Sequence, residues 1–183
     1  MDCFFASVAM RNRPELDGLP VAVSWSDSSK GNAEIASANY AARRFGVRNG
    51  MWLRRARELC PDLISMPYEF EAYTAAAEAM YRQVFSMTPH VMGVSVDECY
   101  ADVTGLGEPM RLARALRDSI RTQIGLDASI GIGPSRLLAR LATRRAKPDN
   151  GDGVFQLSKV KASEMLATEA VSRVSWPSHE IDP

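Results

Sequence analysis

The chain has 183 residues, 46% hydrophobic and 24% charged, and its 22 basic and 22 acidic side chains give a net charge of zero. These totals predict a folded globular protein, either one ordinary domain or a domain with a small inserted lobe. They exclude a protein that grips nucleic acid through strong overall positive charge, so any such binding must depend on local patches. No segment has the length and apolarity of a membrane span or of a secretory leader, so no membrane partner is expected.

Cysteines and histidines exclude several kinds of site. Cys3, Cys60 and Cys99 show no CxxC spacing, which favours a reducing intracellular compartment over a disulfide framework or a zinc site. His90 and His179 lie in unrelated contexts. The sequence therefore contains no Ser-His-Asp or Cys-His arrangement that would predict nucleophilic catalysis.

Periodicity and breaker residues predict short elements in the first third of the chain and longer ones afterwards. Ser37 is expected to cap the second helix, and Pro148 to end the sixth. Helices alternating with strands predict a layered α/β or α+β sheet, and composition shifts near 20 and 66 indicate an inserted lobe. The predicted helices cover 3–11, 38–45, 51–60, 68–87, 109–124, 135–147 and 159–166; the predicted strands cover 21–25, 33–37, 63–66, 91–96, 99–104, 128–133 and 154–157.

The stretch VSVDECYADVT places two adjacent carboxylates, Asp97 and Glu98, inside a strand-like sequence. Neighbouring strand residues point to opposite faces, so both can reach one site only if the chain turns or bulges there. Mg²⁺ prefers such hard oxygen ligands, commonly one or two carboxylates together with substrate phosphates. The alternative is an exposed acidic turn, since most charged side chains are simply solvated.

Ser37, Tyr40 and Arg43 recur at steps of three, which predicts that they share one side of a helix near its N-terminus. A hydroxyl, a phenol and a guanidinium placed there suit a phosphate group. The alternative is a surface helix with an exposed tyrosine and arginine. Phe4 and Phe5 open the first helix; they predict either core or, for one of them, the floor of a pocket.

The segment SRLLARLATRRAKP predicts an amphipathic helix with a basic face. This face could meet the phosphates of a nucleotide or of nucleic acid, or it could be a solvated surface. At 100° per residue the basic side chains fall on one stripe and the leucines on another. The basic stripe holds Arg136, Arg140, Arg144 and Lys147, and the apolar stripe holds Leu137, Leu138 and Leu141.

Together these blocks resemble the Y-family translesion DNA polymerases. The segments MDCFFASV, AEIASANYAARRFGVRNGM, PYEFEAY, SVDECYADVT and GIGPSRLLARLATRRAKPD occur in that family's order and cover residues 1 to about 157. The AEIAS, VRNGM, PYEF-x-AY and ATRRAKPD stretches resemble its deoxycytidyl-transferase branch more than its bacterial DinB-like branch.

The resemblance implies an α+β fold with a ferredoxin-like palm sheet, flanking helices and a small inserted fingers lobe. Residues 1–19 and 67–170 would form the palm and 20–66 the fingers, with 171–183 a tail where a thumb would begin. By the same resemblance, two Mg²⁺ ions, or Mn²⁺ in their place, are held by Asp97, Glu98 and the backbone carbonyl of Met1.

The resemblance also assigns a nucleotide site. Tyr40 and Arg43, assisted by Ser37, would grip the triphosphate of the incoming nucleotide, and Lys147 would contact it from the other side. Phe5 would be the steric gate that excludes a ribose 2′-hydroxyl.

The implied activity is transfer of dNMP, most specifically dCMP, from a dNTP to a primer 3′-hydroxyl opposite damaged template. The implied partners are primer-template DNA, a dNTP (dCTP), and other replication or repair proteins bound through regions outside this chain. The location would be the nucleus for the deoxycytidyl-transferase branch, and otherwise the cytoplasm.

Three departures from the family pattern lead us to expect a catalytic-core fragment that binds DNA weakly and is catalytically impaired alone. The family's first metal-binding aspartate falls just before Met1. The tail after 171 lacks the glycine-rich entry into a thumb, and the branch's arginine-presenting N-terminal segment is absent. The alternatives are a DinB-like polymerase fragment, a nucleotide-cyclase-like palm enzyme and a non-catalytic polymerase-like scaffold.

Overall fold

A computed structural model describes residues 1–25, 32–158 and 161. Its mixture of helices and short strands confirms the predicted α+β class. Among the described residues, no helix combines the length and apolarity that crossing a membrane requires. The chain divides into two compact units: the first comprises Met1–Asp102 and Ser119–Asp127, the second Val103–Asp118 and Ala128–Pro183.

Every element predicted before residue 158 has a counterpart, although most ends shift by a few residues. The predicted helix over 159–166 lies outside the described residues. The division into palm and fingers stays a prediction. In chain order the elements are α1 (Phe4–Met10), β1 (Val21–Ser24), β2 (Ile35–Ala38), α2 (Tyr40–Arg44), α3 (Leu53–Leu59), β3 (Ile64–Met66), α4 (Phe70–Met87), β4 (Val91–Gly93), β5 (Cys99–Ala101), α5 (Pro109–Ile124), β6 (Ile130–Ile132), α6 (Arg136–Ala146) and β7 (Val154–Gln156).

The first unit is built around a three-stranded sheet in which β1 is central. β1 pairs antiparallel with β2 and parallel with β3, and all four of its residues are buried. Because successive strand residues face opposite sides, Val21 and Val23 pack with α1, whereas Ala22 joins the core of α2 and α3. The sheet is therefore covered on both faces, which explains why Val21, Ala22 and Val23 of its central strand are apolar in succession.

The same unit contains α4 and the antiparallel pair β4–β5. α4 buries one stripe of side chains spaced by three, four and seven residues, as expected for an amphipathic helix packed on one side. The buried side chains of this stripe are Tyr73, Ala76, Ala77, Met80 and Val84.

In the second unit, β6 and β7 pair in parallel, and α6 packs directly on β6 because β6 presents glycine to it. A Cβ built on Gly131 would lie 2.1 Å from the backbone nitrogen of Thr143, and one on Gly133 would lie 2.6 Å from that of Ala139. Both distances are far below van der Waals contact. Any side chain at these positions would force α6 away from the strand.

We predict that Gly131→Ala destabilises the chain by more than about 3 kcal/mol, since the new methyl group meets backbone atoms that cannot rotate aside. Gly105→Ala is the matched control in the same unit. Gly105 has a positive φ of 77° but no described atom within 4 Å of an added Cβ, so its cost is limited to about 1 kcal/mol of backbone strain. Urea unfolding followed by circular dichroism measures both, and equal losses would contradict the close packing of α6 on β6.

Candidate active site

The chain turns at Asp97–Glu98, as the paired carboxylates required. β4 ends at Gly93 and β5 begins at Cys99, with which Gly93 is paired, and 94–98 form the connection. The carbonyl oxygen of Glu98 accepts hydrogen bonds from the backbone N–H groups of Val94 and Ser95, at 2.9 and 3.1 Å. These bonds close the turn on itself, so that Asp97 and Glu98 are not held in a flat strand with opposed side chains.

Asp97 is the better ordered of the two carboxylates. It is half-buried, whereas Glu98 is exposed. One carboxylate oxygen of Asp97 accepts from the Ser95 hydroxyl at 3.0 Å, and the other lies 3.1 Å from the ammonium group of Met1. The same ammonium donates to the backbone carbonyl of Asp97 at 2.7 Å.

This donor set fits a hard divalent cation in part. The described residues contain no group of three or more His, Cys, Asp or Glu side chains placed to hold a metal. Mg²⁺ does not require such a cage, since it commonly takes one or two protein carboxylates and completes its shell with water and substrate phosphates. Asp97 and Glu98 can supply those two carboxylates.

Phe5 and Tyr40, predicted for the nucleotide site, border the same core cluster. Both are half-buried, and both pack against the core cluster that the buried side chains of α1 and β1 form. The ring of Phe5 also lies 4.7 Å from that of Tyr73 and 6.0 Å from that of Tyr68, measured between centroids. Packing against two aromatic rings restricts the Phe5 ring, as a steric gate would require.

The prediction that Ser37 caps the second helix is wrong, and so is the placement of Ser37 with Tyr40 on one helix side. Ser37 is buried in β2, opposite Val23 of β1. Asn39 is the cap instead: its side-chain oxygen accepts from the N–H of Ala42 at 2.9 Å. The helix starts only after the strand ladder has ended, because Ser37 is still engaged in pairing.

Asn39 also ties the start of α2 to the segment that leads into β1. Its side-chain oxygen accepts from the N–H of Val21 at 3.1 Å, and its amide donates to the carbonyl of Leu19 at 2.8 Å. One side chain therefore fixes the helix that carries Tyr40 and Arg43. Sequence reasoning missed it, although asparagine directly before a helix is a strong capping signal.

Arg43 is held by two contacts within its own segment. Its Nε donates to the carbonyl of Ala38 at 2.8 Å, and its guanidinium carbon lies 5.3 Å from the centroid of the Tyr40 ring. A cation over an aromatic face at this distance is mutually attractive. Tyr40 and Arg43 thus form one fixed pair at the start of α2, with the chemistry expected of a phosphate contact.

Lys147 and the basic helix belong to the second unit. Lys147 directly follows α6 and is half-buried, Arg136 and Arg144 are exposed, and Arg140 is half-buried. The leucine stripe forms only in part, since Leu141 is buried while Leu137 is exposed. The basic face is therefore present as predicted, but the leucine at the first turn of α6 is not core.

Tyr81 of α4 is a residue of this region that sequence reasoning missed. Its hydroxyl lies 2.8 Å from the carbonyl oxygen of Ser95 and 3.0 Å from that of Glu98. Burial, with the nearby Cys99 and Asp97, raises the pKa of the Tyr81 hydroxyl above its ordinary value, so it remains a donor at neutral pH. The signal was available, because Tyr81 lies four residues after buried Ala77 and three before buried Val84. A hydroxyl at the border of a buried stripe calls for a partner.

Burial likewise raises the pKa of the Cys99 thiol. Cys99 follows Glu98 directly and is half-buried. A thiol whose pKa is raised is mainly protonated at neutral pH, and the thiolate is the reactive form. The arrangement therefore gives Cys99 a packing role and no nucleophilic one.

Comparison with known proteins shows the family to which the chain belongs. Residues 1–144 match the protein-family model described as the impB/mucB/samB family. The chain is 46% identical to the DNA repair protein REV1 of Arabidopsis thaliana over 168 residues, which are 91% of this chain and 15% of that protein. It is 38% identical to DNA polymerase IV of Aeromonas hydrophila over 170 residues, which are 91% of this chain and 47% of that protein.

Solved structures give the same result. The crystal structure of DinB from Sulfolobus solfataricus has a TM-score of 0.81 at 28% identity, covering 90% of this chain and 48% of that one. An insertion ternary complex of Dbh DNA polymerase has a TM-score of 0.81 at 27% identity, covering 90% of this chain and 49% of that one. These matches confirm the predicted resemblance, and the chain spans about half the length or less of these relatives.

We predict that Asn39→Ala lowers the free energy of unfolding by about 1–2 kcal/mol, because it removes the cap of α2 together with two tertiary hydrogen bonds. Asn32→Ala is the control, since Asn32 is exposed in the same unit. Denaturant unfolding followed by circular dichroism measures both variants. If Asn39→Ala proves as stable as Asn32→Ala, Asn39 does not fix the start of α2.

Proposed function

Because this chain belongs to the impB/mucB/samB family of Y-family DNA polymerases, we propose that it is the catalytic-core portion of a translesion polymerase. The reaction is nucleotidyl transfer. The 3′-oxygen of a primer attacks the α-phosphorus of a dNTP, the new phosphodiester bond forms, and pyrophosphate leaves with the electrons of the broken bond. The observation that carries the proposal is the closed 94–98 turn, in which half-buried Asp97 is followed directly by exposed Glu98.

In this proposal the acidic residues hold metal and the basic residues bind the triphosphate. Asp97 and Glu98, with the Met1 carbonyl, are the residues that would hold divalent metal. When bound, such a metal activates the attacking hydroxyl and offsets the charge that develops on the phosphate oxygens. Arg43, fixed over Tyr40 and bonded to the carbonyl of Ala38, binds and orients the triphosphate. Lys147 adds a further cation for it, and buried Ser37 supports the strand from which α2 departs.

Phe5 sets the sugar specificity in this proposal. Its ring is half-buried and packed against Tyr68 and Tyr73, so it cannot easily move away from a substituent that approaches it. A 2′-hydroxyl on the sugar would meet the ring, whereas a deoxyribose would pack on it.

The deoxycytidyl-transferase branch is the more specific form of the proposal. It is supported by the 46% identity to REV1 of Arabidopsis thaliana, against 38% to DNA polymerase IV of Aeromonas hydrophila, and by the sequence blocks that resemble that branch. In this form dCTP is the nucleotide, damaged primer-template DNA is the second substrate, and the nucleus is the place of action. Contacts with other repair proteins would be made through regions outside this chain.

The first test is calorimetric titration of the chain with dCTP, with and without Mg²⁺. We predict binding that depends on Mg²⁺, and a loss of affinity of at least about tenfold in Asp97→Asn, since a neutral amide is a poor ligand for this ion. Asp17→Asn is the control, because Asp17 is exposed in the same unit. Equal affinities with and without Mg²⁺ would overturn the proposal in favour of a polymerase-like scaffold.

The second test concerns the sugar. We predict that Phe5→Ala reduces the preference for dCTP over CTP by about tenfold or more, because the truncated side chain leaves room for the 2′-hydroxyl. Phe85→Ala is the control, as Phe85 is exposed on α4. The ratio of the two dissociation constants is the measurement, and an unchanged ratio in Phe5→Ala removes Phe5 from the role of steric gate.

The same titrations distinguish the branches. We expect dCTP to bind more tightly than dATP, dGTP or dTTP if the deoxycytidyl-transferase form holds. Similar affinities for all four in the presence of template would favour the DinB-like alternative. A cyclic nucleotide product from a single nucleotide with Mg²⁺ would instead indicate the cyclase-like alternative.

A further inference from the structure

A hydroxyl group from outside the 94–98 turn holds both of its ends. The Tyr81 hydroxyl lies 2.8 Å from the carbonyl oxygen of Ser95 and 3.0 Å from that of Glu98. These carbonyls lie on either side of the segment that contains Asp97. One donor shared between them keeps the two ends of that segment at a fixed separation.

The absence of a side chain at Gly93 leaves room for the Tyr81 hydroxyl. A Cβ built on Gly93 would lie 3.1 Å from the hydroxyl oxygen, and 3.8 and 3.9 Å from two carbon atoms of the ring. The carbon contacts are ordinary, but the oxygen contact is tighter than most. A methyl group there would therefore press mainly on the hydroxyl, while the ring could stay where it is.

The hydrogen bonds within the turn differ in kind from the one that Tyr81 makes. Within it, the N–H groups of Val94 and Ser95 bond to the Glu98 carbonyl, and the Ser95 hydroxyl bonds to the Asp97 carboxylate. These bonds shape the turn but do not fix it relative to the rest of the unit. Tyr81 does so, because α4 is packed into the core through Tyr73, Ala77 and Val84.

We propose that Tyr81 is a positioning residue, which sets the carboxylates of Asp97 and Glu98 for divalent metal through its hydroxyl bonds to the turn. It touches neither metal nor substrate. This inference rests on the proposed function, since it specifies how the metal-holding turn is kept in place.

The test measures Mn²⁺ affinity of the whole chain by electron paramagnetic resonance of free Mn²⁺. We expect Tyr81→Phe to weaken binding by about fivefold, the effect of losing one ordinary hydrogen bond. Ser119→Ala is the matched control. It removes another side-chain hydrogen bond to α4, donated by Ser119 to Gln83 at 2.7 Å, which lies away from the turn. The affinity of the Ser119→Ala variant for Mn²⁺ should equal that of the unsubstituted chain.

A second variant, Gly93→Ala, tests the same hydroxyl by crowding it instead of removing it. Gly93→Ala should also weaken Mn²⁺ binding by several-fold, because the methyl group displaces the Tyr81 hydroxyl. In a Tyr81→Phe background the same alanine should have little further effect, since the crowded oxygen is gone. Additive losses would instead show that Gly93→Ala does not act through the Tyr81 hydroxyl.

Asp97→Asn separates failure of this inference from failure of the proposed function. If Asp97→Asn binds Mn²⁺ as tightly as the unsubstituted chain, the metal site itself is wrong. If Asp97→Asn loses affinity while Tyr81→Phe matches Ser119→Ala, or if the effects of Tyr81→Phe and Gly93→Ala add, only the positioning role of Tyr81 is overturned. Circular dichroism of each variant verifies that it is folded.

Discussion

Three donors converge on the carbonyl oxygen of Glu98: the N–H groups of Val94 and Ser95, and the hydroxyl of Tyr81. Two of these bonds close the turn, and the third ties it to a buried helix. Adjacent carboxylates repel each other and lose hydration as they are brought together, so the backbone beneath them must resist opening. The chemistry proposed for the chain depends on this small network more than on any single side chain that faces the substrate.

Elsewhere in the described structure, other kinds of contact also hold candidate site residues in place. In the first unit, the cap formed by Asn39 fixes where α2 begins, and through it the pair of Tyr40 and Arg43. In the second unit, Gly131 in β6 and Gly133 just after it let α6 approach to backbone contact, which fixes the helix that ends beside Lys147. In both cases residues without catalytic chemistry decide where a cationic group is held, and burial of apolar side chains supplies the rigidity.

The sequence predicted the elements well because their signals are local. The alternating and continuous apolar runs marked the strands, and the carboxylate pair marked a turn. The helix cap was misplaced because Ser37 and Asn39 are both good capping residues, and the choice between them depends on pairing with Val23 across the sheet. Tyr81 was missed because its partners are 14 and 17 residues away. The pattern of α4 indicates that this hydroxyl needs a partner, but which carbonyls it reaches follows from the position of α4 beside the 94–98 turn, which no local pattern encodes.

Anomalous diffraction from crystals of this chain grown with Mn²⁺ and dCTP is the most direct test of the central claim, that the 94–98 turn is a metal-holding turn. The account predicts an anomalous peak about 2.2 Å from a carboxylate oxygen of Asp97, with Glu98 and phosphate oxygens of the nucleotide close by. A nucleotide bound elsewhere with no peak at Asp97, or an ordered Mn²⁺ at a different group of side chains, would contradict it.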